Sequence, residues 1–170
     1  MPEAEKTESV RTQEQHLFHA QRERVSYRDA CKLSEQNLQQ LISTGSFSLF
    51  SRHPVCSTQG FFHYSYDYAH QIHYPSNPLQ PGPINFKTTR KCAVFGVCCE
   101  TISRQVNFLI DESVVARKGA NATISCVHFF LENYGLGETD AGLNADNCSG
   151  QNKNNYFMWY YSWRTIHNYT

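Results

Sequence analysis

The chain has 170 residues, the size of one domain, and 40% of them are apolar, enough for a packed core. Fifteen lysines and arginines balance fifteen aspartates and glutamates, so no global charge indicates a nucleic-acid or membrane partner. Seven cysteines without a Cys-x-x-Cys pair do not fit a zinc ribbon or a disulfide framework. The N-terminus is charged and no apolar run reaches the ~18 residues of a membrane span, so we expect an intracellular protein.

The first 60 residues are more polar than the rest of the chain. Residues 1–12 are predicted to form a disordered tail, residues 13–45 a helical arm, and residues 46–60 an irregular linker. The arm mixes basic and acidic residues, which is typical of a solvated helix face. A contact with DNA is the alternative for its arginines Arg22, Arg24 and Arg28.

An aromatic stretch at residues 61–74 predicts a strand, because its large rings alternate onto one face. These rings belong to Phe62, Tyr64, Tyr66 and Tyr68. Asp67 falls on the opposite face. Aspartate is depleted in strands and is seldom buried without a partner, so Asp67 is either a surface residue or a ligand.

Four prolines at residues 75–83 predict a long turn. The densest basic group of the chain follows this turn and is a candidate for phosphate contacts: Lys87, Arg90 and Lys91. Two apolar runs, at residues 92–99 and 105–110, then predict two buried strands.

The last third of the chain alternates helix and strand. A helix is predicted from Arg117, because apolar residues recur on one of its faces, and it ends at Gly135. A short strand at residues 141–145 leads into Asp146. The helix predicted from Asn152 is apolar on nearly every side, so it needs a partner or a further segment to cover it.

This order predicts an α/β protein with a ribonuclease-H-like mixed sheet: three antiparallel strands, a helix, a fourth strand and a second helix. The fourth strand would lie parallel to the first and bring Asp67 beside Asp146. Adjacent carboxylates repel unless a cation neutralises them, and all-oxygen ligands suit Mg²⁺ or Mn²⁺. The alternative for Asp146 is an ordinary turn or helix N-cap.

Four stretches carry a resemblance to a known family: His63-Tyr-Ser-Tyr-Asp67-Tyr-Ala-His, Gln80-Pro-Gly-Pro83, Phe95-Gly-Val97 and Ala145-Asp-Asn-Cys-Ser-Gly-Gln-Asn-Lys-Asn154. Together they resemble an uncharacterised eukaryotic family of transposon-derived, DDE-type integrase-like domains. The resemblance covers about residues 61–165 and implies a partial ribonuclease-H-like domain over residues 61–170, with Asp67 and Asp146 as its first two catalytic, metal-binding acids. It also implies DNA as partner and a nuclear location.

The amides and the lysine after Asp146 are the expected nucleic-acid contacts of this block, namely Gln151, Asn152 and Lys153. The chain departs from the family's pattern in one respect. DDE-type chemistry uses a third carboxylate on a later helix, and no Asp or Glu follows Asp146. Glu132, on the preceding helix, is the candidate substitute that the resemblance implies, because ribonuclease H itself uses a helical glutamate there.

We therefore expect a truncated or domesticated transposase-like domain that binds metal and nucleic acid but is inactive alone. One alternative is a protein-interaction module that uses the aromatic helix at residues 156–166, by self-association or by binding a missing segment. Another is a transition-metal site formed by His63, His70 and His73, with Cys56 as a further ligand.

Overall fold

The computed structural model describes residues 3–49, 51, 53–74, 89–114 and 119–169. The protein is mixed α/β, with a long N-terminal helix and a mixed sheet of five strands. In chain order, the elements are α1 (Glu3–Ser43), β1 (Thr58–Tyr68), β2 (Ile72–Tyr74), β3 (Arg90–Cys99), β4 (Arg104–Asp111), α2 (Ala120–Tyr134), β5 (Glu138–Asn144) and α3 (Asn155–Ile166).

β3 pairs with three of the other four strands of the sheet. It pairs antiparallel with β4 along one edge and with β1 and the short β2 along the other. β5 pairs with the free edge of β1 and runs parallel to it. The expected order of three antiparallel strands, a helix and a fourth strand parallel to the first is therefore confirmed, with β2 as a short addition.

The core lies on the aromatic face of β1, as the alternation predicts. Phe62, Tyr64 and Tyr66 are buried there, whereas Asp67 on the other face is exposed. α2 and α3 cover the aromatic face. Tyr64 meets Phe130 of α2 edge-on at 5.6 Å between ring centroids, and Tyr66 stacks on Phe157 of α3 at 6.0 Å. Each of these rings contributes roughly 1.5–3 kcal/mol through burial.

α1 covers part of the opposite face of the sheet. Ser34 is fully buried, and its Oγ accepts a hydrogen bond from the backbone N–H of His63 at 3.0 Å. A second hydroxyl, that of Thr101, joins Ser34 Oγ. The bond to the His63 N–H matters because a buried backbone N–H without a partner costs free energy.

The N-terminal prediction is wrong in part. α1 begins at Glu3, so residues 3–12, expected to be disordered, are helical. The physical reason is that Glu, Ala, Lys, Gln and Arg favour helix without requiring burial, so polarity does not separate an exposed helix from a disordered tail. With 41 residues, α1 is about 60 Å long at 1.5 Å per residue, and every residue from 5 to 19 is exposed.

Other boundaries differ from the predictions. The linker expected at residues 46–60 contributes Phe47 to the core and gives its last three residues to β1. The strand expected at residues 61–74 is interrupted at residues 69–71. The helix expected from Asn152 begins at Asn155, because residues 148–153 form a turn. The predicted proline-rich turn, Lys87 and Arg117 lie outside the described residues.

Candidate functional site

The sheet brings Asp67 and Asp146 to the same edge. Ser65 of β1 pairs with Asn144 of β5 in parallel register. Two residues further along each chain stand Asp67, still within β1, and Asp146, just past the end of β5. Neighbouring strands lie about 4.8 Å apart, so this register sets the two acids side by side at the carboxyl ends of their strands.

Both acids line one cleft of about 900 Å³ between α1 and the sheet. A row of residues across the sheet forms its floor, since Asp67 pairs with Gly96 and Gly96 with Asn107. Gly96 carries no side chain, which keeps the floor open beside Asp67. The other groups that line the cleft are Ala20, Glu23, Arg24, Tyr27 and Arg28 of α1, together with Ser65, Tyr66, Tyr68, Ala69, Cys98, Gln105, Asn144, Ala145 and Asn147.

Hydrogen bonds within its own turn orient Asp146. Its Oδ1 accepts the backbone N–H of Cys148 at 3.2 Å and the Nδ2 of Asn152 at 2.5 Å. Both bonds end on the same oxygen, so Oδ2 is the oxygen left for a ligand among the described contacts. The negative charge of Asp146 also acts on Tyr66. Burial raises the pKa of the Tyr66 hydroxyl, a hydrogen bond to Tyr161 lowers it, and the charge of Asp146 raises it to a lesser degree than burial.

The residues that follow Asp146 form both a turn and a helix N-cap. The carbonyl of Cys148 accepts backbone N–H groups from residues 151, 152 and 153, which closes a tight turn. Asn154 is the N-cap of α3, and its side chain accepts the N–H of Phe157 at 3.2 Å. The polar run is thus a turn followed by a helix cap. Asp146 is not that cap and faces the cleft.

Oxygen ligands at the cleft fit Mg²⁺ or Mn²⁺ in donor type. Magnesium is commonly held by one or two carboxylates, with waters and substrate phosphates completing its shell. Asp67 and Asp146 supply two exposed carboxylates, and Asp67 Oδ1 already accepts the N–H of Tyr68 at 2.7 Å. Within the described part of the chain, no group of three or more His, Cys, Asp or Glu side chains could hold a metal ion.

Glu132 is not brought to this cleft. It lies near the C-terminal end of α2, which leads into the start of β5, whereas Asp146 follows the end of that strand. Seven strand residues separate the two positions by roughly 20 Å. Glu132 instead forms an ion pair at 3.0 Å with Arg164 of α3, whose side chain is 4% exposed. Glu132 therefore links α2 to α3.

Among the described residues of the basic group and of the run 151–153, which are predicted to contact nucleic acid, none lines the cleft. Arg90 is paired with Asp111 at 2.7 Å, and Lys91 is exposed one residue further along β3. Gln151 and Lys153 belong to the turn after Asp146. Of this group only Asn152 touches a predicted site residue, through its bond to Asp146.

The three histidines proposed as an alternative metal site are separated. His63 is buried beneath α1, with its Nδ1 3.6 Å from the Sγ of Cys31. His70 bonds to a neighbouring backbone carbonyl and His73 to the hydroxyl of Thr89. Burial lowers the pKa of His63 and raises that of Cys31, so neither the imidazolium nor the thiolate is favoured there.

Three further charged residues of the cleft stand on α1. The sequence named Arg24 and Arg28 as alternative DNA contacts but did not place any residue of α1 beside the two acids. Glu23, Arg24 and Arg28 line the cleft opposite the two acids. Arg24 and Arg28 are four residues apart and therefore share a helix face, which is the signal that could have paired them. Their position over Asp67 depends on how α1 crosses the sheet, which periodicity along the chain does not specify.

Comparison of the chain with protein-family models, with curated proteins and with solved structures gave no match. No helix in the described residues is both long and apolar enough to cross a membrane. The fold and the cleft define the class of protein: it is a mixed α/β protein with two carboxylates at the ends of adjacent parallel strands.

Proposed function

We propose that this chain is a transposase- or integrase-like domain with a ribonuclease-H-like core, and that it binds a divalent metal ion and nucleic acid at Asp67 and Asp146. The observation that carries the proposal is the parallel pairing of β1 with β5, which aligns these two acids at one cleft. The strand order β4-β3-β1-β5 and the resemblance of the blocks around both acids support it. Such a domain would act on DNA in the nucleus.

The proposed activity is binding rather than cleavage by this chain alone. A bound Mg²⁺ or Mn²⁺ would supply positive charge that attracts and orients phosphate oxygens. Asp67 and Asp146 would hold that ion, and Asn152 would keep Asp146 in a fixed orientation. Two-metal phosphodiester chemistry uses a larger carboxylate set than these two acids, which is why we assign no turnover to the described residues.

Metal binding tests this proposal directly. Mn²⁺ affinity would be measured by calorimetry for the wild type, for the double variant Asp67→Asn/Asp146→Asn and for Asp140→Asn. Asp140 is an exposed acid near the start of β5, so its variant removes one carboxylate charge outside the cleft. We expect the double variant to lose Mn²⁺ binding and Asp140→Asn to retain it. Equal binding by all three proteins would overturn the proposal.

A second candidate function is protein interaction through α3. The side of α3 that faces away from the core carries large exposed apolar groups: Tyr156, Met158, Trp159 and Ile166, each at least 65% exposed. Several large exposed apolar side chains on one side of a helix are a feature of interaction sites. Light scattering of the wild type and of Trp159→Glu would test it, since a self-associating wild type and a monomeric variant are expected. A wild type that stays monomeric at high concentration would exclude self-association.

A further inference from the structure

We infer that the cleft between α1 and the sheet takes a single strand of nucleic acid, with Arg24 and Arg28 of α1 contacting its phosphates. This deepens the proposed function by naming the form of the nucleic acid and the side chains that hold its backbone. It rests on that function only for the metal ion, because the arginine contacts can be measured separately.

The size of the cleft favours a single strand. A volume of about 900 Å³ is that of a small-molecule pocket. A duplex is a much larger body, since its major groove alone is ~12 Å wide. An unpaired strand exposes its bases and backbone separately and can enter a narrow channel.

The lining offers the three kinds of contact that single strands use. Arg24 and Arg28 are exposed on the α1 side, and the described ion pairs do not include them. Tyr27 presents a ring on the same helix face. The floor is rich in amides, and Gln105 and Asn107 stand two residues apart on β4, with the Nε2 of Gln105 donating to Asn107 Oδ1 at 2.8 Å. Cationic groups bind phosphate, rings stack on bases, and amides hydrogen-bond to base edges.

The charge of the cleft makes this binding depend on a cation. Three carboxylates line it, those of Glu23, Asp67 and Asp146, against the guanidinium groups of Arg24 and Arg28. The lining is thus net negative and repels a phosphate backbone on its own. One divalent ion at the two aspartates reverses the sign, so nucleic acid and metal are expected to bind together.

Fluorescence anisotropy with a labelled oligothymidylate and with a duplex of equal length tests the inference, in Mg²⁺ and in EDTA. The key variant is Arg24→Ala/Arg28→Ala. Its matched control is Arg11→Ala/Arg22→Ala, which removes two exposed arginines of the same helix that do not line the cleft. Thermal unfolding would verify that both variants fold.

In Mg²⁺ we expect the wild type to bind the single strand at least tenfold more tightly than the duplex. Arg24→Ala/Arg28→Ala should reduce the slope of log K against log salt by about 1.4, the value for two phosphate contacts to a single strand, and the control should leave it unchanged. In EDTA, Asp67→Asn/Asp146→Asn should bind the oligonucleotide more tightly than the wild type, because two repelling charges are removed.

Three results would overturn the inference: no oligonucleotide binding by the wild type, a duplex bound as well as the single strand, or the same slope change in both arginine variants. Its failure is distinguishable from that of the proposed function. Mn²⁺ binding with no effect of Arg24 and Arg28 would reject only the arginine contacts. An arginine-dependent slope without Mn²⁺ binding would reject only the metal site.

Discussion

The two faces of β1 differ in their surroundings: one face packs in the core, and the other meets α1 and the cleft. Phe62, Tyr64 and Tyr66 are buried in the core, with Tyr64 against α2 and Tyr66 against α3. On the other face His63 is buried beneath α1, whereas Ser65 and Asp67, further along the strand, face the cleft and are more accessible. A strand alternates its side chains, so a change on one face should alter stability and a change on the other should alter binding. The following predictions test how strictly that division holds.

The largest effect should come from truncation on the aromatic face. Phe62→Ala removes a fully buried ring and should lower the free energy of unfolding by roughly 3–5 kcal/mol. Asp67→Asn, on the cleft face of the same strand, should change it by less than about 0.5 kcal/mol, because the side chain is exposed. Urea unfolding of both variants makes the comparison. Similar losses in the two variants would contradict the division of faces.

The second prediction concerns a carboxylate on the core side. Glu138 is 3% exposed, its Oε2 accepts the N–H of Leu136 at 2.9 Å, and burial raises the pKa of its carboxyl group above the ordinary 4.5. The folded state therefore holds this proton more tightly than the unfolded chain. The contribution of Glu138 to stability is full below pH 4.5 and is lost as the pH rises through the raised folded pKa.

Glu138→Gln should remove this decline, so that its stability relative to the wild type grows as the pH rises. Urea unfolding at several pH values between 4 and 8 would measure the difference, with Asp140→Asn as an exposed control on the same strand. Parallel curves for the wild type and Glu138→Gln would show that the buried carboxylate does not titrate in this range.

A third prediction fills the cleft without touching the core. A Cβ at Gly96 would lie 3.0 Å from Gln105 Nε2 and 3.1 Å from Asn107 Oδ1, the ends of flexible side chains that can move, and 4.0 Å from the backbone oxygen of Asp67. Gly96→Val should change stability by about 1 kcal/mol or less, since better strand propensity offsets the crowding. It should weaken oligonucleotide binding severalfold, measured by anisotropy. Unchanged binding would place the ligand elsewhere on the protein.

The last prediction concerns Asn152, whose side chain donates a hydrogen bond to Asp146. Asn152→Ala removes one side-chain bond to Asp146, worth roughly 0.5–1.5 kcal/mol. The freed carboxylate should bind Mn²⁺ about tenfold more weakly, because a partner that orients a ligand affects metal affinity more than stability. Gln151→Ala, the neighbouring amide, serves as the control and should bind as the wild type does.

Much of the fold could be predicted from the sequence because its patterns are local. The alternation on β1 identified the buried rings, and the order of strands and helices led to the parallel pairing of β1 with β5. The apolar period predicted a helix with one buried face, and in α2 Val127, Phe130 and Leu131 are buried. The start of α1 was missed because an exposed polar helix carries no apolar period that separates it from a disordered tail.

The candidate site also has one part that the sequence predicted and another part that only the tertiary structure determined. Sequence alone placed Asp67 in a strand and Asp146 just after another, since both depend on short-range patterns. Only the tertiary structure decided what faces them: α1 crosses the sheet and sets Arg24 and Arg28 over the cleft, while α2 carries Glu132 to the other end of β5. The reason is that periodicity specifies which face of an element is buried, whereas the packing of distant elements decides which residues share a cleft.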